Sequence, residues 1–390
     1  MRPDNISYEA KKDPLICLYG ETLLSKHKRR QMSTVISNKM RELGRVLIVL
    51  KSICAEINGL FDALKPEMFS QLLSATKIVS GYNEETKSFK APSLAVHMGT
   101  SLKVLCDIAL KIVIEKRNLP NINWDNNETK KTEIKELKKL VVGHWCNDIS
   151  SLALKSLKEQ NWKKTTTLPL TEDIQKFKVY VCNAAENAVA KLSSIENGDS
   201  QLMEIRKQYR ILSESILALT VLFNRKRIGE VQYLTTETYN SNTTTAKSND
   251  FLESLTPLEK ALSNNFKRVV VGGKGSKPVP ILFSKKLQKL IEVLLTTRSS
   301  FRIVPTANPY LFANPGSENR WMSGSNVLRK LALKSGAKNP ELLTSTRFRK
   351  QIATTLQLMT MEDNEMEQVA TFMGHTKKTH SEFYRYTRYK

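Results

Sequence analysis

The chain has 390 residues, 40% of them hydrophobic and 25% charged, so it can bury a substantial core and is not a disordered tail. Because single cores stop growing near about 250 to 300 residues, this length favours two domains over one. Lys and Arg outnumber Asp and Glu by 61 to 38, and the resulting net charge of +23 favours a polyanion partner. The sequence has no apolar run of about 18 residues and no lipidation motif, so the expected partner is nucleic acid and not a membrane.

Helical patterns dominate the first part of the sequence. Apolar residues recur every three or four positions over 32–54 and again over 94–113, which is the period of a buried helix face. The pattern weakens between about 66 and 90, and the polar segment 120–131 is predicted to be a linker. Helical spacing then resumes over 133–157. The sequence therefore predicts an all-helical first domain, residues 1–165.

A second domain, residues 166–390, is predicted after the polar, proline-containing stretch NWKKTTTLPLTED at 161–173. Thr171 can cap a helix there. Two long helices are expected at 171–196 and 200–223, followed by a low-complexity loop at 240–250. The stretch FKRVVVGGKGSKPVPILF, 266–283, differs from the rest because two extended runs flank a glycine-rich turn, which predicts a β-hairpin. Helices are predicted again at 284–299, 323–335, 344–359 and 363–373.

The sequence predicts no metal site and no cofactor. The five cysteines are scattered, odd in number and without a CxxC pair, which indicates reduced thiols. His144 and Cys146 lie close together in GHWC, but two ligands without a second pair are more often packing residues. The polar start has no signal-peptide-like apolar stretch, so the protein is expected inside the cell. KHKRR, 26–30, is typical either of a nuclear import signal or of a solvated basic patch on a DNA-facing side.

Several residues of the second domain could act on a phosphate. Arg227 and Glu230 are one helical turn apart in NRKRIGEVQYL, so the carboxylate can hold the guanidinium in place. Lys274 lies in the glycine-rich turn, where a loop could carry an ammonium group into a cleft. Thr346 and Arg349, three residues apart on a predicted helix, could point together at one phosphate.

Two more candidates lie near the end of the sequence. Gly374 can end the helix predicted at 363–373 in a left-handed cap, which places His375 in the loop just beyond it. Tyr384 follows on a short segment, close enough to return toward this histidine. Each candidate alone is more often structural: an i,i+3 Arg–Glu pair is usually a surface pair, and a turn lysine is usually solvated. Their order along the chain is more informative.

RIGEVQYL, GGKGSK, TRFRKQIATT and MGHTKKTHSEFY resemble, in this order, the four signatures of the tyrosine recombinases, the phage-integrase-like DNA strand-transfer enzymes. The resemblance covers about residues 169–390. LFNRKRIGEV, STRFRKQIAT and FMGHTKKTHSEFYR are most similar to the eukaryotic branch encoded by Crypton-type transposons or their host-adopted relatives. The resemblance implies a mainly α fold with a small β-hairpin. It also implies that a helical N-terminal domain and the catalytic domain together clamp double-stranded DNA, and that the protein assembles as a homo-dimer or homo-tetramer on that DNA.

The resemblance also implies roles for individual residues. Arg227 and Arg349 correspond to the two catalytic arginines, and Glu230 buttresses the first. Lys274 corresponds to the hairpin lysine that protonates the leaving 5′ oxygen. His375 corresponds to the histidine of the glycine–histidine signature.

Tyr384 corresponds to the nucleophile, which would form a 3′-phosphotyrosyl link and leave a free 5′ hydroxyl. One position departs from the family: Thr346 stands where a histidine is usual. A hydroxyl can donate to a phosphate oxygen, but it cannot carry charge or shuttle a proton as imidazole does. This departure supports an alternative hypothesis, in which the protein is a host-adopted relative that binds DNA without cutting it.

The implied chemistry accounts for these residue types. The negative charge of a phosphodiester repels nucleophiles and grows in the transition state, so two permanently protonated, fork-shaped guanidinium groups can neutralise its oxygens without a metal. A phenol with a pKa near about 10 needs those cations and a proton acceptor nearby, for which His375 is the candidate. A type IB topoisomerase shares this chemistry and is an alternative hypothesis. Such an enzyme relaxes DNA without joining strands from different partners.

Overall fold

The computed structural model describes residues 3–27, 31–117, 127–163, 167–194, 201–241, 265–273, 277–358, 367–368 and 372. The chain divides into two compact units, Met1–Thr165 (unit 1) and Thr166–Lys390 (unit 2). Helices account for most of both, and the strands in the described residues form two small two-stranded antiparallel sheets. The predicted fold class, mainly α with a small β-hairpin, is confirmed.

The described part of unit 1 is built from α-helices with one short hairpin. In chain order its elements are α1 (Asn5–Lys12), α2 (Pro14–Ser25), α3 (Met32–Ile53), a 3₁₀ turn (Pro66–Met68), α4 (Phe69–Ser80), β1 (Tyr82–Asn83), β2 (Ser88–Phe89), α5 (Pro92–Glu115), α6 (Asn127–Trp145), a π-helical turn (Cys146–Ser150) and α7 (Ser151–Lys163).

The helices α1 and α2 were not predicted, because they are short and their signal lies in their caps. The carboxylate of Asp4 accepts a bond of 2.8 Å from the backbone N–H of Ser7. Asp13 caps α2 by accepting from the N–H of Ile16 at 2.8 Å, and its other oxygen accepts from the N–H of Leu60 at 2.7 Å. Asp13 thus joins α2 to a distant loop while satisfying orphan donors at the helix start.

The predicted helix faces of unit 1 are largely confirmed. On α3 the buried apolar residues follow the helical period, while Val35 and Ile53 at its two ends are exposed. On α5 the face from Ala95 to Val113 is buried almost without interruption. The linker predicted at 120–131 is wrong in its last part, where α6 begins at Asn127. Glu128 favours the first helical turn, and its carboxylate lies 3.3 Å from the Nζ of Lys131.

Unit 2 contains the β-hairpin and the remaining helices. In chain order its described elements are α8 (Thr171–Ser194), α9 (Leu202–Asn224), α10 (Ile228–Gln232), α11 (Thr236–Ser241), β3 (Phe266–Gly272), β4 (Pro278–Ser284), α12 (Lys285–Ser300), α13 (Gly324–Lys334), a 3₁₀ turn (Pro340–Leu342) and α14 (Ser345–Leu358). The loop predicted at 240–250 lies almost wholly outside the described residues, as does most of the helix predicted at 363–373.

The core of unit 2 surrounds α9, which is buried on nearly every side from Leu212 to Leu222. Helices α8, α12 and α13 pack against it. The hairpin predicted at 266–283 is confirmed, with β3 and β4 paired from Phe266 opposite Ser284 to Gly272 opposite Pro278. Both strands are edges, so the two prolines of β4 break no ladder in a sheet interior.

None of the helices in the described part of the chain combines the length and the apolar content needed to cross a membrane.

Candidate functional site

Arg227 and Glu230 form one compact unit at the start of α10. The chain leaves α9 through Arg225, which has a left-handed backbone (φ 51°), and Arg227 then occupies the N-cap of α10. Glu230 Oε2 accepts from the backbone N–H of Arg227 at 3.0 Å, and Glu230 Oε1 accepts from Arg227 Nη1 at 3.1 Å. The side chain of Glu230 is buried, while that of Arg227 is 36% exposed. One carboxylate therefore fixes both ends of Arg227.

Arg349 reaches the same carboxylate from a distant part of the sequence. Its Nη1 lies 3.9 Å from Glu230 Oε2, and its side chain is 2% exposed. Helix α14 is set in place by Phe348, which is fully buried with its ring centroid 6.0 Å from that of Phe177 on α8. Phe348 and the next residue, Arg349, are both buried where α14 packs on the rest of unit 2. The structure thus gathers Arg227, Glu230 and Arg349, which we call the arginine cluster.

Gly273, which follows β3, lies near this cluster. Gly273, the last described residue before the turn, donates its N–H to the carbonyl of Lys277 at 2.7 Å. A Cβ placed on Gly273 would lie 3.4 Å from Glu230 Oε1 and 2.5 Å from the Cγ2 of Val279. The backbone at Gly273 is therefore close to the buttressing carboxylate, and a larger residue there would collide with β4.

Asn224, the last residue of α9, holds the hairpin against the loop that carries Arg227. Its amide Nδ2 donates to the carbonyl of Leu282 at 2.9 Å, and its Oδ1 accepts from the N–H of Leu282 at 2.7 Å. This pair of bonds replaces a ladder partner for β4 and fixes the register of the strand relative to the helix end. The sequence reading missed Asn224, because a helix-terminal asparagine usually acts only as a local cap.

Lys226 was also missed, since it lies in a basic run that is typical of a solvated surface. It is fully buried, immediately before Arg227. Its Nζ donates a hydrogen bond to the carbonyl oxygen of Phe372 and lies 3.6 Å from the centroid of the Phe372 ring. Burial lowers the pKa of Lys226 to about 7; the positive charges of Arg349 and Arg227 act in the same direction, and Glu230 opposes them.

This low pKa predicts a specific pH dependence of stability. In the unfolded chain Lys226 keeps its proton up to the ordinary lysine pKa of about 10.5, whereas the folded chain releases it at a pKa of about 7. Folding therefore becomes more favourable as the pH rises from about 7 to about 10. Relative to Lys226→Met, which has no proton to lose, wild-type protein should gain unfolding free energy over this range, as measured by urea unfolding at several pH values. A difference in unfolding free energy between the two proteins that stays constant over this pH range would contradict the lowered pKa of Lys226.

The structure does not place Thr346 with the arginine cluster. Thr346 is exposed in the first turn of α14. It lines a groove of about 400 Å³ together with Ser325, Arg329 and Leu333 of α13. The spacing of three residues from Arg349 suggested a shared target, but Arg349 turns toward Glu230 while Thr346 borders this groove.

Lys274, His375 and Tyr384 lie outside the described residues. The nearest described neighbours of two of them adjoin the arginine cluster in space: Gly273 lies close to Glu230, and Phe372 contacts Lys226. The described part of the site thus consists of two guanidinium groups on one carboxylate. Such a pair of guanidinium groups can bind a phosphate and stabilise negative charge that develops on its oxygens.

No known family model matches the sequence, and no curated protein matches it. The solved structures with some similarity include two complexes of the XerH site-specific recombinase. The pre-cleavage complex with difH substrate is 14% identical, with 90% of this chain and 93% of that chain covered and a TM-score of 0.39. The post-cleavage complex with palindromic difH substrate is 12% identical, with 96% and 88% covered and a TM-score of 0.42. Similarities at this level are too weak to identify the fold.

Proposed function

We propose that this protein is a DNA strand transferase of the tyrosine recombinase type, which cleaves and rejoins DNA through a 3′-phosphotyrosyl link at Tyr384. The observation that supports this most is the meeting of Arg227 and Arg349 on the carboxylate of Glu230. These residues belong to two different signatures of the resemblance, and their spacing in the sequence does not require them to meet. The net charge of +23 agrees with a DNA partner.

The proposed reaction begins when the phenol oxygen of Tyr384 attacks the scissile phosphorus. A P–O bond to tyrosine forms, and the bond from phosphorus to the 5′ oxygen breaks. The phenol proton passes to His375, and Lys274 protonates the departing 5′ oxygen. A 5′ hydroxyl from another strand then attacks the phosphotyrosine, which restores a phosphodiester and frees the phenol. No net oxidation or energy input is needed.

Arg227 and Arg349 have unequal positions in this reaction. Arg227 is partly exposed and held at both ends, so an incoming phosphate oxygen meets it first. Arg349 is covered in the chain without DNA. We infer that DNA binding uncovers Arg349 and that its guanidinium then takes the second non-bridging oxygen. Glu230 keeps the two positive groups close together without DNA, because its negative charge offsets their repulsion.

A second candidate function, DNA binding without cleavage, is favoured by Thr346. Thr346 is exposed and borders a groove, and its hydroxyl cannot carry charge or shuttle a proton as the imidazole expected from the resemblance would. The two functions share the basic surface and differ only in the covalent step. A topoisomerase-like relaxation of DNA would give the covalent step without exchange of strands.

Finer features are proposed from the sequence alone. The residues that flank Arg227, Arg349 and His375 in the sequence suggest the Crypton-type branch. KHKRR suggests a nuclear location, and the resemblance suggests a homo-dimer or homo-tetramer on double-stranded DNA. Unit 1 is proposed to bind the DNA backbone through its basic residues.

The proposed function is tested with DNA that carries a nick next to the cleavage position, so that a cut strand loses a short fragment and cannot be rejoined. Since the target is unknown, the probe is a pool of nicked duplexes made from DNA selected by binding to the protein. An SDS-resistant protein–DNA adduct should form in the presence of EDTA. DNA binding by this pool with no adduct would favour the non-cutting candidate.

A further inference from the structure

The side chain of Lys226 makes a hydrogen bond and a ring contact with one residue far away in the sequence. Its Nζ donates to the carbonyl oxygen of Phe372 and stands 3.6 Å from the centroid of the Phe372 ring. The left-handed residue Arg225 ends α9 and turns the chain so that Lys226 enters the interior. Arg227 follows directly. Two consecutive residues therefore have different contacts: Lys226 contacts Phe372, and Arg227 belongs to the arginine cluster.

The chemistry of the contact suits a fixing role. The carbonyls in the last turn of a helix have no partner inside that helix, and basic side chains are favoured there. The sequence predicts that a helix ends at Met373, which puts the carbonyl of Phe372 in this class. An amine can donate to it whether or not it carries the extra proton, and the protonated form is also attracted to the ring face.

Stability alone does not explain a lysine at this position. Removing an amine from water is costly, and a hydrophobic side chain of similar length can replace a buried charged group with no loss of stability. Methionine would fill the space of the lysine stem. Methionine has no group that can donate a hydrogen bond to the carbonyl of Phe372. This hydrogen bond is therefore what lysine provides at position 226 and methionine cannot.

We propose that Lys226 is a positioning residue that fixes the chain at Phe372 beside the arginine cluster, so that the segment leading to His375 and Tyr384 starts from the edge of the site. This inference rests on the proposed function for its catalytic consequence, although the contact can be tested separately. We call this contact the Lys226–Phe372 latch. It assigns a role to a residue that none of the four recombinase-like signatures requires.

The first test uses Lys226→Met, with Lys289→Met, an exposed lysine on α12, as the matched control. Amide hydrogen exchange is measured by mass spectrometry on peptides from 373–390. The latch predicts that exchange in these peptides becomes about tenfold faster in Lys226→Met and stays unchanged in Lys289→Met. The thermal midpoint of Lys226→Met should be no lower than that of wild-type protein. Unchanged exchange in 373–390 would overturn the inference.

The second test is a double-mutant cycle with Phe372→Leu, which removes the ring. If the two side chains act through one contact, the double variant should accelerate exchange no more than the stronger single variant does. Fully additive effects would show that Lys226 and Phe372 act independently, which contradicts the latch.

The third test separates positioning from DNA binding. On nicked DNA, Lys226→Met should form the covalent adduct about ten to a hundred times more slowly, because a small misplacement of a reacting group has an effect of this size. Its Kd for DNA should stay within about twofold of wild type. If wild-type protein forms no adduct, the proposed function fails while the exchange experiments still decide the latch. If wild-type protein forms the adduct and Lys226→Met matches it, only the latch fails.

Discussion

Replacing Arg349 by alanine should slow DNA cleavage by about a thousandfold while weakening DNA binding by less than about tenfold. The guanidinium neutralises charge that grows on the phosphate as the phenol attacks, so its contribution is larger in the transition state than in the bound state. Binding depends on many phosphate contacts along the duplex, of which Arg349 would supply one. The measurements are the first-order rate of adduct formation at saturating protein and the Kd at one fixed salt concentration.

Arg349→Ala also removes a buried side chain next to Glu230, so its folding must be checked by thermal unfolding. Arg349→Lys serves as the second variant, because it keeps the positive charge and loses the forked geometry. We expect it to retain its fold and to cleave at a rate between those of wild type and Arg349→Ala. Equal losses of cleavage and binding in both variants would make Arg349 a plain phosphate anchor.

Tyr384→Phe should abolish the covalent adduct and leave DNA binding intact. The substitution removes one hydroxyl group, the only atom of this side chain that can form a bond to phosphorus. No other group in the proposed reaction can replace a nucleophile, so the loss should be complete within detection.

The sequence supplies controls for this experiment in Tyr386 and Tyr389, which follow in FYRYTRYK. Tyr386→Phe and Tyr389→Phe should both form the adduct at close to the wild-type rate. Loss of the adduct in Tyr386→Phe, with Tyr384→Phe still active, would move the nucleophile by two residues and show that the proposed assignment of Tyr384 is wrong.

Features encoded by local sequence could be predicted well. The hairpin of β3 and β4 follows from extended runs around a glycine-rich turn, and the helical period defined α3, α5 and α9 within a few residues. The spacing of Arg227 and Glu230 on one helical turn indicates that they can interact. In the structure the carboxylate of Glu230 accepts from the backbone N–H and from Nη1 of Arg227, at 3.0 and 3.1 Å. Short helices whose signal lies in a cap, such as α1, were missed.

Features that depend on tertiary packing could not be read from the sequence. The contact between Arg349 and Glu230 requires Phe348 to anchor α14 in the core, which no local spacing specifies. Lys226 lies between two arginines in a run that looks solvated, yet the turn at Arg225 buries it completely. Thr346 and Arg349 are three residues apart on one helix, yet their surroundings differ: Thr346 borders a groove and Arg349 lies near Glu230, and this difference depends on packing.

The most direct measurement is to isolate the adduct formed on nicked DNA in EDTA, digest its protein and DNA, and identify the linked residue by mass spectrometry. We expect a single peptide in which Tyr384 carries a phosphate joined to the 3′ end of a nucleotide. A link to the 5′ end, or to a residue other than Tyr384, would contradict the account.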